Sequence, residues 1–163
     1  MMSAVIDAAS VTRAASSKRV GARVRKTERM DISDALAFAS THHQAVLVTR
    51  KRSGELQMSP VNAGVLDGAL VISSRAPLAK VRNLRRNPTA SLLVQSNEFY
   101  GSWVQIDGTA TIVDQPEALP LLDDVYRCIA GEHPNWDDYR AAMIRDERVV
   151  IRIRPERAAG TLR

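Results

Sequence analysis

The stretch Ile72-Ser-Ser-Arg-Ala-Pro-Leu-Ala-Lys-Val-Arg-Asn-Leu-Arg-Arg-Asn-Pro-Thr-Ala-Ser-Leu-Leu93 decides how the rest of the chain is read. It sets a strand, a short basic helix and a second strand in direct succession. Arg75, Lys80, Arg82, Arg85 and Arg86 fall within it, and no acidic residue does. On a helix over residues 78–86, Lys80 and Asn83 share a face, because residues three apart are neighbours there. Leu84 joins that face, and Leu78 and Val81 can anchor the helix. Asn87-Pro88 ends it, since proline disfavours a helical residue before it. The hydroxyls of Ser73 and Ser74 stand where the first strand stops. Hydroxyls, free backbone N–H groups and a lysine at a helix start suit a phosphate or carboxylate. Pattern alone leaves three readings open: an anion site, a solvated basic face, or a surface for a phosphate backbone.

Outward from this stretch, turn signals divide the body into alternating elements. Asp31 or Ser33 can cap a helix reaching about His42, with Ile32, Ala35, Leu36 and Ala39 as its apolar stripe. Residues 45–50 read as a buried strand, 51–54 as a turn and 55–63 as the returning strand. Pro60 lacks an N–H, so that strand should bulge there or lie at an edge. Leu66-Asp-Gly68 makes a second tight turn into a strand over 69–74. After the basic helix come strands over 89–94 and 103–113, the latter with a kink expected at Gly108. Helices follow over 116–130 and 135–143, and Arg148 to Arg154 closes the sheet. Six mostly antiparallel strands punctuated by turns predict a small barrel.

The chain has 163 residues, enough for one domain with a sizeable core. Its net charge of +5 is local. Residues 1–29 hold seven basic residues against two acidic ones, which leaves the body with 16 of each. That leader is rich in Ala, Ser, Val and Arg and is expected to be a disordered basic extension, with the domain running from Met30 to Arg163. An organelle transit peptide has a similar composition. No apolar run is long enough to span a membrane. The single Cys128 excludes an internal disulfide, fits a reducing cytoplasm, and reads as a small core residue.

Familiar catalytic machinery is missing. His42 and His43 adjoin at a helix end, and His133 sits in a Gly-Glu-His-Pro turn where capping or packing explains it. No His, Cys and carboxylate set has metal-ligand spacing. There is no nucleophile elbow, Walker loop or dinucleotide fingerprint. Asp123-Asp124 and Asp137-Asp138 read as helix-face acids. A chain without acid–base or nucleophilic groups often borrows its chemistry from a cofactor.

Two signatures carry a family resemblance. One is Arg75-Ala-Pro-Leu-Ala-Lys-Val-Arg-Asn-Leu-Arg-Arg-Asn-Pro-Thr-Ala-Ser91. The other is Tyr126-Arg-Cys-Ile-Ala-Gly-Glu-His-Pro-Asn-Trp-Asp-Asp-Tyr-Arg-Ala-Ala-Met143. From about Ala35 to Gly160 the chain resembles the pyridoxamine-phosphate-oxidase-like split β-barrels, and most closely the actinobacterial branch that binds the deazaflavin coenzyme F-420. The resemblance implies a six-stranded antiparallel split β-barrel and a homodimer with cofactor sites at the subunit interface. It implies a cytoplasmic F-420-dependent oxidoreductase, a reductase, that passes a hydride to a conjugated small molecule. It implies neither a membrane nor a specific nucleic-acid partner.

Carried over by position, Lys80 meets the cofactor phosphate, with Arg82 and Asn83 following on the helix. Ser73, Ser74 and Arg75 stand at the preceding strand end. Gln57, Ser59, Pro60 and Val61 border the deazaflavin ring, and Trp103 supplies an aromatic wall from the partner subunit or simply packs there. The sequence departs from some relatives at Leu78 and Glu55, where they carry basic residues; Arg75 is a candidate to compensate for the first. Two alternatives stay open: a flavin-mononucleotide (FMN) protein of the same fold, and a non-catalytic F-420 carrier.

Overall fold

A computed structural model describes residues 28–98 and 100–163. Most of the expected extension, residues 1–27, lies outside them. The elements in chain order are β1 (Glu28–Met30), α1 (Ile32–Ala39), β2 (Gln44–Arg50), β3 (Leu56–Asn62), β4 (Gly64–Leu66) and β5 (Ala69–Arg75). Then come α2 (Ala79–Arg86), β6 (Thr89–Gln95), β7 (Trp103–Val113), α3 (Ala118–Ala130), α4 (Trp136–Arg145) and β8 (Arg148–Thr161). The strands form one antiparallel sheet in the order β3-β2-β6-β7-β8-β5-β4, with β1 added to β8.

Connectivity curls this sheet into a split barrel. β3 is one edge and β4 belongs to the other, yet only Ala63 separates them in sequence. Two peptide steps span at most about 7 Å, so the two edges must meet there. Ala63 is fully buried. Its N–H donates to the His43 carbonyl at 2.9 Å, and its own carbonyl lies 2.9 Å from His43 Nδ1. The edges meet at this point but do not pair along their length. β4 covers only Ala69–Val71 of β5. From Ile72 to Arg75, β5 has β8 on one side and, among the described residues, no strand on the other. This gap is the split.

The interior follows from alternation. Leu47, Leu70, Ile72, Leu92, Val94, Val104, Ile106, Ile151 and Ile153 point inward with Ala35 and Ala39 of α1. Val81 and Leu84 carry α2 into the same core. A second cluster forms outside β5 and β8, where Val71 and Val150 meet Ala118, Leu122 and Val125 of α3 and Met143 of α4. Strands buried on both faces lose alternation, as the continuous burial of Ala69–Ile72 shows.

The sheet has eight strands where the sequence predicts six. β1 and β4 are three residues each, too short to show a period. β8 runs on to Thr161 past Pro155, where a proline normally stops a strand. A register shift between Asp107 and Gly108 pairs Gly108 with Pro155 and Asp107 with Arg157. This bulge accommodates the proline and is the irregularity expected at Gly108. A Cβ on Gly108 would fall on the carbonyl of Arg154, so only glycine permits the approach. Pro60 sits on the edge strand β3 with no bulge. Asp67 and Gly68 both have positive φ, the geometry of a tight hairpin turn. α3 begins at Ala118 rather than Pro116, and Pro120 falls in its first turn, where a missing N–H costs nothing.

Candidate cofactor-binding site

The split gathers the polar residues of interest. One lip is β3, and the other is the unpaired edge of β5 from Ile72 to Arg75. The start of α2 stands over it. Residues directly opposite in an antiparallel pair face the same side, so the Arg75–Arg148 register puts Arg148 on the same face as Ser73. Arg148 Nη1 lies 3.5 Å from Ser73 Oγ, the outer limit of a hydrogen bond. Ser74 faces inward beside Ile72 and is only 2% exposed.

Two buried polar atoms here have no protein partner: Ser74 Oγ and Arg148 Nε. Buried donors without partners are rare and costly. Lys80 is half-buried, and burial, followed by the nearby Arg148 guanidinium, holds its ammonium below the ordinary lysine value. Neither Lys80 nor Arg148 forms an ion pair among the described residues, whereas Arg85 is clamped in two hydrogen bonds to Asp114. Two adjacent cations with unused donors and no acid fit a phosphate.

The remaining residues of the basic helix divide by task. Asn83 is buried and fully engaged: Nδ2 donates to Thr49 Oγ1 (3.1 Å) and to Gln57 Oε1 (2.8 Å). Its Oδ1 accepts from Arg86 Nη2 at 2.8 Å. Asn83 therefore ties α2 to β2 and β3 and fixes how Gln57 lies. Arg86 also donates to the Arg50 carbonyl. Arg82 is exposed. Arg75 is exposed and turned to the Asp146 carbonyl, 3.4 Å from its Nε.

On β3, Gln57, Ser59 and Val61 lie on the inner face opposite Thr49, Leu47 and Ala45, while Pro60 faces out opposite Val46. Trp103 stands apart from the split. It pairs with Thr161 of β8, whereas Ser73 pairs with Val150. Those eleven residues along β8 correspond to a contour of about 36 Å at roughly 3.3 Å per residue. One copy of the chain does not bring Trp103 to Lys80.

A cavity of about 310 Å³ continues from the split beneath α3 and α4. Asn62, Ser73 and Arg148 line one side, and Val125, Tyr126, Tyr139 and Met143 the other. Burial, then the Asp123 carboxylate, raises the Tyr139 phenol above its usual value. Asp123 is not the surface acid the sequence suggests: it is buried and accepts from Arg140 Nε and Nη2 at 2.9 and 2.7 Å. His133 both packs and caps, stacking among Tyr126, Trp136 and Tyr139 while its Nδ1 accepts from Asn135 N. Cys128 is half-buried and donates to the Val125 carbonyl. Among the described residues no cluster could hold a metal ion, and no helix is long and apolar enough to cross a membrane.

Arg148 is the site residue that sequence reasoning missed. It opens the final strand, and only the β5–β8 register brings it to Ser73. Its one sequence signal is weak: a basic residue at the start of a strand paired with the one carrying the serines.

The antiparallel sheet, open between β3 and β5 and flanked by helices, defines the split-barrel class. The pyridoxamine 5'-phosphate oxidase family model matches residues 32–161, and the chain belongs to that family. Among solved structures, a conserved hypothetical protein from Mycobacterium tuberculosis is 25% identical with a TM-score of 0.67, covering 80% of this chain and 84% of that one. An F-420 reductase is 19% identical with a TM-score of 0.60, covering 75% and 93%. A FAD-binding protein from Mesorhizobium loti is 18% identical with a TM-score of 0.59, covering 82% and 96%.

Proposed function

We propose that this chain is a cytoplasmic F-420-dependent reductase that transfers a hydride from the reduced deazaflavin to a conjugated small molecule. The observation that carries the reading is Lys80 beside Arg148, with Ser73 on the same face of β5 and β8 and no carboxylate paired to either cation. The similarity to an F-420 reductase and the two sequence signatures favour deazaflavin over flavin. Bound there, the cofactor supplies the hydride. The chain supplies the rest: Lys80 and Ser73 hold the phosphate, and Gln57, oriented by Asn83, borders the ring. The apolar side chains of Val125 and Met143 in the neighbouring cavity limit water there, which strengthens charge contacts beside it.

We further propose a homodimer built on the outer face of β3-β2-β6-β7. Met58, Pro60, Val46, Val48, Leu93 and Trp103 lie on that face, with Met58 68% exposed. Such an apolar sheet face marks an interaction surface, and dimerisation is the way for Trp103 to reach a cofactor site. FMN is the second reading. Glu55 stands where some relatives carry a base and pairs with Lys51 instead, and a single phosphate needs only the cradle.

Titration with F-420 and FMN in parallel, following fluorescence of the cofactor and of Trp103 and Trp136, tests the proposal. Tight F-420 binding with weak FMN binding supports it, and the reverse moves the protein to the flavin reading. Cofactor binding without turnover of any conjugated acceptor would make it a carrier.

A further inference from the structure

We infer that Arg148 is the second cation of the phosphate cradle, acting with Lys80 in place of the basic residues that Leu78 and Glu55 replace. The inference rests on the cofactor-binding reading above. Arg75 looks like the natural substitute in the sequence, yet its Nε is turned to the Asp146 carbonyl and its side chain is exposed. Arg148 differs in three ways. Its Nε is buried without a partner. Its Nη1 reaches toward Ser73 Oγ. No carboxylate among the described residues pairs with it: Asp123 of the neighbouring α3 accepts from Arg140 through Oδ2, and its buried Oδ1 has no partner. An arginine held this way has lost water from its Nε and gained nothing from the protein. A phosphate oxygen in the split would complete its fork, since a guanidinium offers donors in the geometry a phosphate accepts.

The same placement gives Arg148 a second duty. It lines the cavity that Tyr126 and Tyr139 close, so the cradle and that cavity share one residue.

The test uses the full chain and three variants, Arg148→Gln, Arg148→Lys and Arg75→Gln. Binding is measured for F-420, for FMN, for riboflavin (the flavin ring without phosphate) and for inorganic phosphate as a competitor. Arg148→Gln should weaken the phosphate-bearing cofactor on the order of 10- to 100-fold and leave riboflavin within about twofold. Arg148→Lys should recover part of the loss, and Arg75→Gln should change nothing. Loss of inorganic phosphate binding in Arg148→Gln, with neither cofactor bound by the parent protein, would sustain the cradle while sinking the redox reading. Phosphate-bearing cofactor bound by Arg148→Gln within twofold of the parent would overturn the inference, as would equal losses for riboflavin. Binding of no phosphate-bearing probe by the parent protein would overturn both.

Discussion

Replacing Asn83 by Ala should cost about 3–4 kcal/mol of folding stability, and the figure can be built from its contacts. The substitution removes three hydrogen bonds, to Thr49, Gln57 and Arg86. Each contributes about 1 kcal/mol net. Gln57 and Arg86 can turn to water, but Thr49 is 1% exposed, so its hydroxyl loses the donor that reached it. That orphaning adds on the order of 1 kcal/mol. Alanine is the better helix former by roughly 0.6 kcal/mol, which offsets part of the loss. Urea unfolding should show the midpoint fall with an unchanged slope, and the melting temperature should drop by about 7–14 °C. Removing both partners is the sharper test. Asn83→Leu with Thr49→Val replaces a buried polar pair by apolar groups and should be less damaging than the sum of the single changes. A loss below about 0.5 kcal/mol for Asn83→Ala, or strict additivity in the double variant, would refute the assignment of Asn83 as the tie between α2 and the barrel.

Gly108→Ala should destabilise by at least about 1–3 kcal/mol, measured by thermal melting, because the added Cβ meets the backbone carbonyl of Arg154 at the bulge. Met58→Arg, on the exposed apolar face, should shift a dimer toward monomer in analytical ultracentrifugation while the far-ultraviolet circular dichroism stays the same. Cofactor affinity should fall as the pH rises toward 10. Burial and Arg148 hold Lys80 below its ordinary pKa in the free protein, so its charge, and with it the grip on phosphate, is lost earlier than for an exposed lysine. The raised Tyr139 phenol stays neutral across that range. A Lys80→Arg variant should flatten the profile, and an unchanged profile would remove Lys80 from the cradle.

Much of the fold was legible because its signals are local. The basic helix and its stop at Asn87-Pro88, the Asp67-Gly68 turn and the edge position of Pro60 each follow from backbone chemistry within a few residues. β1 and β4 were not legible, since a three-residue strand has no period and exists only through partners far away in sequence. β8 was cut short at Pro155 because the bulge that admits this proline is set by Gly108 on another strand. The site divides in the same way. Lys80, Ser73 and Ser74 can be read from one continuous stretch. Arg148 depends on strand register, and the buried state of Asp123 depends on Arg140 from the next helix. Asn83 was read as a ligand contact, and in the structure its whole amide is spent on protein partners.

The single-residue link at Ala63 has a mechanical consequence for the split. Two edges joined covalently at one end cannot slide apart in parallel; they can only pivot, like shears about a rivet. The gap then widens with distance from Ala63, so a flat ring bound as proposed would be gripped hardest near the rivet and its bulkier substituents tolerated toward the open blades. Lengthening the link would loosen every level of the gap at once, whereas substitutions along either lip would change it only at their own height.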